Sequence, residues 1–217
     1  MPKDTLNNIP QEKRERILRE AALAFAERGY AATDMAALAR RCGIAKGSIY
    51  NYFESKEELY VYVCRDGMEK SRSAVWGDTD EGWNIYQDID HMFRSGVEFA
   101  RAHPEFISIY LNAGSTGVQH LTQDLIVELE KRTADQLKLR LRQGINDGVV
   151  RKDLDVNLTA WIINNSYVML LAALVSRHFE LRMREYLDIP NAMSAEDVSV
   201  QRERTIQLLQ SFLRPKS

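Results

Sequence analysis

The chain has 217 residues, of which 45% are hydrophobic and 28% are charged. This composition is typical of a globular protein and excludes an intrinsically disordered chain. The formal net charge is -2, so the chain as a whole lacks the basic excess of many nucleic-acid-binding proteins, and any DNA-binding surface must be local.

Three features bear on where the protein resides. Two cysteines, Cys42 and Cys64, are too few for a disulfide framework, so reduced thiols and a cytoplasmic protein are predicted. Residues 1–16 are polar and lack the apolar segment of a secretory signal. Residues 158–175 are long and apolar, but two asparagines and a serine lie at their middle. Lipid penalises polar groups most at that depth, so we predict a buried helix and no membrane.

Helical periodicity runs through nearly the whole chain, and strand patterns are scarce, so an all-α fold is predicted. Gly29 is expected to end the first helix. Ser55 and Glu58 form a capping box that marks the start of the fourth. In chain order the predicted helices span about 10–28, 34–42, 46–53, 55 to before 77, 83–102, 104–112, 119–143, 157 to a point before or after 179, and 195–213.

Two breaks organise the chain. Residues 73–82 are predicted to form a loop between two parts, and the GSTG sequence at 114–117 interrupts the helical pattern. We therefore predict a three-helix helix-turn-helix domain over residues 1–55, followed by a helical ligand-binding and dimerisation domain over residues 56–217. The fourth helix, from 55 to about 75, connects the two domains.

Residues 33–59 have the pattern of a helix-turn-helix, in which two short helices cross at a steep angle. Ala39 supplies the small residue at the crossing, and Gly43 tolerates the left-handed dihedrals of the turn. Thr33 is expected to cap the first short helix. Apolar residues predicted to fill the angle are Leu38, Cys42, Ile44 and Ile49.

The second short helix carries groups suited to DNA. Polar side chains there can hold phosphate at the helix start, and an asparagine can read adenine in the major groove. These candidates are Lys46, Ser48, Tyr50, Asn51 and Tyr52, with Gly47 leaving room for close approach, and Lys56 adds a further basic group in the first turn of the next helix. From Gln11 to Phe53, eight basic residues against five acidic ones give a local charge of +3, which favours a basic face.

Five motifs in residues 14–60 occur in a fixed order. They are Gly29-Tyr30 before Thr33, Leu38-Ala39, Gly43-Ile44, KGSIYNYF at 46–53 and SKEEL at 55–59. In this pattern the segment resembles the DNA-binding region of the tetracycline-repressor (TetR) family. The position after Gly43-Ile44 is commonly serine in that family and is Ala45 here, which lacks the hydroxyl for that helix-capping and phosphate contact.

The resemblance implies an all-helical homodimer whose second short helix enters the major groove and whose two copies read a palindromic operator. It also implies that Ala45, Ser48 and Asn51 lie nearer to the bases. The residues that would mainly hold phosphate are Thr33, Lys46, Tyr50, Tyr52 and Lys56.

Beyond about residue 80 the resemblance rests on length and helical pattern. It implies a dimer interface built from the helices at about 157–178 and 195–213, although a buried helix of a monomer also explains the first of these. It further implies a small-molecule effector among the middle helices, while ordinary core packing explains any single aromatic equally simply. The candidate lining residues are His91, Phe99, Phe106, Tyr110, Trp161, Asn165 and Tyr167.

Other classes of protein are less well supported. The sequence contains no phosphate-binding glycine loop and no catalytic motif, and its four histidines lack metal-ligand spacing, so an enzyme is disfavoured and no cofactor is implied. A DNA-packaging protein would not need a second domain of this size. A repressor is expected, with a constitutive regulator or an activator as the alternatives.

Overall fold

The computed structural model describes residues 6, 8–77, 80, 82–114 and 117–215. These residues form helices, and no strand occurs in the ranges given, so the predicted all-α fold is confirmed. The helices are α1 (Gln11–Ala32), α2 (Met35–Arg41), α3 (Lys46–Tyr50), α4 (Lys56–Trp76), α5 (Ile85–Ala102), α6 (Pro104–Asn112), α7 (Gln119–Asn146), α8 (Val156–Val175), α9 (Arg177–Leu187) and α10 (Ala195–Leu213).

The helices group into two compact units, and each unit combines two separate stretches of chain. The first comprises Met1–Lys70 with Glu105–Val127, and the second comprises Ser71–Pro104 with Glu128–Ser217. The first unit therefore contains the predicted helix-turn-helix domain together with most of α4 and with α6. The predicted domain boundary between residues 55 and 56 does not coincide with a division between these units, and it remains a prediction of where the DNA-binding domain ends.

In the first unit, one face of α1 supplies much of the core. Its buried residues recur with the 3.6-residue period of a helix, as the sequence predicts. Gly29 interrupts α1 with φ 72° and ψ 169°, but helical structure resumes as far as Ala32, one turn beyond the predicted end. The buried residues of α1 are Ile17, Leu18, Ala21, Ala22, Ala24 and Phe25.

Several predicted boundaries need correction. The helix α4 continues to Trp76, so a loop does not begin at residue 73; positions 78, 79 and 81 lie outside the described residues, as do 115 and 116 of the GSTG break. The helix α5 begins at Ile85 because the side chain of Asn84 accepts hydrogen bonds from the backbone N–H groups of Tyr86 and Gln87. Ser176, in extended conformation, separates α8 from α9 and so ends the long apolar helix at Val175.

In the second unit, α8 packs against α5, α9 and α10, and α5 also packs against α10. A buried ion pair joins α5 to α7: Nε of Arg140 donates to Asp88 at 2.6 Å, and a second guanidinium nitrogen donates to the other carboxylate oxygen at 3.1 Å. The same guanidinium also donates to the carbonyl of Trp83. Burial raises the pKa of Asp88, although Arg140 opposes this shift.

The helix α8 is long and apolar enough to meet a length and composition criterion for a membrane span. Its burial is one-sided, however. Ile163, Leu170 and Ala172 are enclosed by the second unit, whereas Leu158 and Trp161 are exposed. One-sided burial against three neighbouring helices is the pattern of a core helix in a globular domain.

Candidate nucleic-acid interface

The turn between α2 and α3 has the geometry that the sequence predicts. Gly43 has φ 67°, and the N–H of Ile44 donates to the carbonyl of Ala39 at 3.0 Å. A residue with a Cβ atom is strained in this left-handed region, so glycine suits the turn. Leu38, Ala39, Cys42 and Ile49 are almost fully buried around it, while Ile44 is half-buried. Burial also raises the pKa of the Cys42 thiol to about 11, which keeps it protonated.

The start of α2 differs from the prediction, because Asp34 caps the helix instead of Thr33. The carboxylate of Asp34 accepts a hydrogen bond from the N–H of Ala37 at 2.7 Å, which lowers the pKa of Asp34. The hydroxyl of Thr33 points into the unit, 2.7 Å from the carbonyl of Gly29 and 3.2 Å from that of Ala24. Thr33 is only 4% exposed, so its single hydroxyl proton stabilises the Gly29 break and is not presented to a phosphate.

The helix α3 presents a polar face to solvent and buries Ile49 behind it. Lys46, Gly47 and Asn51 are exposed, Ser48 is half-buried, and Tyr50 is 38% exposed. Ala45 occupies the N-cap position and makes no side-chain cap hydrogen bond, as its missing hydroxyl dictates. Helices of this size carry exposed polar groups into the major groove in helix-turn-helix proteins.

Tyr52 and Lys56 have structural partners. Tyr52 is buried, and the ammonium of Lys13 lies 5.7 Å from its ring centroid. Lys56 donates to the carbonyls of Ala31 and Thr33 at 3.0 and 2.8 Å. Its ammonium also lies 4.6 Å from the ring centroid of Tyr30. The first turn of α4 is thereby joined to the end of α1, and at most one N–H of Lys56 is left for phosphate.

Arg41 is a further residue whose role the sequence analysis missed. Its guanidinium bonds two carboxylates of α1, Glu20 at 2.9 Å and Glu27 at 3.0 Å, and thereby joins α2 to α1. The two carboxylates are seven residues apart, which places them on one face of the helix, and this spacing was the available signal. Arg41 therefore contributes less to a basic surface than the local charge of +3 implies.

Comparison with known proteins supports this geometry. Residues 17–63 match the profile of "Bacterial regulatory proteins, tetR family". The HTH-type transcriptional repressor KstR2 of Mycobacterium tuberculosis is 30% identical over 157 residues, which cover 71% of this chain and 77% of the relative.

This chain belongs to the TetR family.

Solved structures agree with that assignment. A TetR-family transcriptional regulator from Chloroflexus aurantiacus is similar over 100% of both chains, with 25% identity and a TM-score of 0.72. The regulator FadR of Bacillus subtilis, solved in complex with stearoyl-CoA, has 20% identity, covers 92% of this chain and 99% of its own, and gives a TM-score of 0.70, which shows the fold. The relatives of this TetR-family chain are transcriptional regulators, so the chain is a regulator and not an enzyme.

The two lysines of this TetR-family helix-turn-helix should respond differently to removal of their charge. Lys56→Met should lower the free energy of unfolding by about 1–2 kcal/mol, because two backbone carbonyls lose a charged donor that is partly screened by solvent. Lys46→Met should leave stability unchanged but weaken binding to operator and random DNA alike, because phosphate contacts carry no sequence information. Chemical denaturation and fluorescence anisotropy measure the two effects. Equal stability of both variants would contradict a structural role for Lys56.

The predicted ligand-lining residues of the second unit do not all face inward. Trp161 is 63% exposed and does not line the interior of its own chain, which corrects the expectation for it. Asn165 is half-buried, and its amide donates to the carbonyl of Trp161 at 2.8 Å, so it needs no ligand as a partner. Phe99 and Tyr167 are buried. His91 is half-buried, and its ring meets that of Trp83 at 5.1 Å.

The other two candidates belong to the first unit. Phe106 packs so closely on α4 that a Cβ atom added to Gly67 would lie 2.3 Å from its ring. The ammonium of Lys70 lies 5.5 Å from the same ring centroid. Tyr110 is half-buried. A common cavity for all seven candidate residues remains a prediction.

Proposed function

We propose that this protein is a cytoplasmic repressor that binds a palindromic operator as a homodimer and is released by a small, mainly apolar ligand. The main observation behind the proposal is the exposed polar face of α3. This helix is held in place by the turn at Gly43 and by apolar residues buried between α2 and α3. A relative that is itself named a repressor supports repression over activation. The alternatives are an activator and a constitutive regulator, and the second of these would show no release of DNA in the ligand titration below.

An exposed apolar surface on α8 and α10 supports the homodimer. We call Leu158 and Trp161 of α8, with Val200, Leu208 and Phe212 of α10, the apolar face. Trp161 is 63% and Leu208 is 70% exposed in the single chain. Side chains of this size cluster at protein interfaces, and two copies meeting here would cover them. A dimer would also provide one recognition helix for each of the two half-sites of a palindromic operator.

Asn51 is the proposed base-reading residue of α3. Asn51→Ala should weaken operator binding by about 1–3 kcal/mol and relax base preference at one operator position, because a bidentate amide–adenine contact is lost. Selection of binding sites from a random DNA library by the wild type and the variant measures that preference. Lys46→Met is the matched control, since it should weaken binding without changing the selected sequence. An Asn51→Ala variant that selects the wild-type site would contradict base reading by Asn51.

The ligand proposal is tested with stearoyl-CoA, the compound bound by FadR of Bacillus subtilis. If this chain has a similar effector, addition of stearoyl-CoA to the protein–operator complex should lower fluorescence anisotropy as DNA is released. Free coenzyme A serves as the control for the nucleotide part. Operator binding that is unaffected by stearoyl-CoA and by a broader panel of apolar metabolites would indicate a constitutive regulator.

A further inference from the structure

Tyr167 places a hydroxyl in the apolar interior of the second unit. The residue is 9% exposed, and its ring meets that of Phe93 edge to face at a centroid distance of 5.6 Å. Its hydroxyl lies directly against α5, where a Cβ atom added to Gly96 would stand 2.4 Å from the hydroxyl oxygen. Glycine at position 96 therefore leaves the space that this hydroxyl occupies.

The hydroxyl of Tyr167 has no hydrogen-bond partner among the described residues. Every fully enclosed side-chain nitrogen or oxygen atom in that part of the chain does have a partner, so this hydroxyl must border accessible space. An unpaired polar group in apolar surroundings is unfavourable. Such a group therefore indicates a position where a bound molecule could supply the missing hydrogen-bond partner. Burial also raises the pKa of Tyr167, so the hydroxyl keeps its proton and can donate.

The surroundings restrict what could accept that proton. Met92, Phe93 and Val97, all within a turn of Gly96, are buried and apolar. A carboxylate acceptor would bring a charge that these side chains cannot offset, and a hydroxyl acceptor would bring a donor that itself needs a partner. A carbonyl oxygen accepts a hydrogen bond and introduces neither difficulty.

We propose that Tyr167 is the polar contact of the effector site and donates a hydrogen bond to a carbonyl oxygen on an otherwise apolar ligand. This inference rests on the proposed ligand-responsive function and adds a chemical class for the ligand. It also assigns Gly96 a role, because any larger residue there would displace the donor from its position.

The first test needs no ligand. Thermal unfolding is compared for Tyr167→Phe and for Tyr86→Phe, a matched variant whose hydroxyl donates to the carbonyl of Val149 at 2.7 Å. Tyr86→Phe should lower the melting temperature because it removes an existing hydrogen bond. Tyr167→Phe should leave the melting temperature unchanged or raise it. A decrease equal to that of Tyr86→Phe would overturn the proposal, since the hydroxyl would then have a partner within the protein.

The second test uses acetophenone and ethylbenzene, which are similar in size and differ in the carbonyl oxygen. Titrations followed by NMR should show acetophenone binding roughly 2- to 12-fold more weakly to Tyr167→Phe than to the wild type, the factor expected for one hydrogen bond, with no change for ethylbenzene. The carbonyl stretching band of bound acetophenone should move to higher frequency in the variant. Equal acetophenone affinities, or no binding to the wild type up to its solubility limit, would overturn the proposal.

Operator binding distinguishes failure of this inference from failure of the proposed function. Tyr167→Phe should bind the operator as the wild type does, because the substitution lies outside the DNA-binding unit. If acetophenone binding depends on Tyr167 but the protein binds no operator, the Tyr167 site is supported and the proposed repressor function is wrong. If ligands that bind the variant and the wild type equally release the operator, the repressor function is supported and the Tyr167 site is wrong.

Discussion

Replacing Leu208 with glutamate should convert the proposed dimer to a monomer and lower operator affinity by about 10²- to 10⁴-fold, the range over which linked binding of two half-sites exceeds single-site binding. Leu208 is 70% exposed in the single chain, so the new carboxylate stays hydrated in the monomer and folding should be preserved. In the dimer the same carboxylate would be buried without a partner, which is strongly unfavourable. Analytical ultracentrifugation and operator titration measure the two consequences.

Val127→Glu is the control for this substitution. Val127 is also a large exposed apolar residue, at 59%, but it lies on α7 and is not part of the apolar face, which α8 and α10 carry. It should leave both the oligomeric state and operator affinity unchanged. A Leu208→Glu variant that remains dimeric would show that the two copies associate through some other surface.

Replacing Arg140 with methionine should lower the free energy of unfolding by about 3–5 kcal/mol, because the carboxylate of Asp88 would remain buried without its partner. Asp88 is 2% exposed and Arg140 is 15% exposed, so solvent cannot compensate for the loss. The double variant Asp88→Leu/Arg140→Met should recover most of this loss, since no buried charge remains. Urea denaturation of the two variants and the wild type provides the comparison. A double variant as unstable as Arg140→Met would argue that packing, and not the unpaired charge, causes the loss.

The stability of Arg140→Met should also depend on pH. Asp88 has a raised pKa in the folded protein, so its proton favours folding at low pH and this contribution is lost as the pH rises through the raised pKa. Arg140 opposes that shift, and removing it should raise the pKa further. The deficit of the variant relative to the wild type should therefore be smaller at about pH 4 than at about pH 7. A deficit independent of pH would contradict this explanation.

The sequence predicted those parts of the fold that depend on local rules. Gly43 marks the turn because only glycine tolerates its dihedrals freely, and the buried positions of α2 and α3 follow helical periodicity. The predicted starts of α6 at residue 104 and of α10 at residue 195 coincide with the observed ones.

Contacts between distant residues could not be predicted in this way. Arg140 and Asp88 are 52 positions apart, and no local pattern indicates that they pair. The family resemblance assigned Thr33 and Lys56 to phosphate, but it does not show that backbone carbonyls of the same unit accept hydrogen bonds from these donors. Trp161 was assigned to a cavity by resemblance to the family, which does not say whether its own chain covers that side chain.

The pairing of Arg41 with Glu20 and Glu27 has a consequence for how DNA binding should respond to salt. A protein gains affinity by displacing the cations condensed on DNA, and each phosphate neutralised by a free basic side chain increases that gain. Arg41 is already neutralised by two carboxylates of its own chain. It should therefore displace few cations, and operator affinity should fall less steeply with ionic strength than the number of basic residues near the recognition helix would indicate.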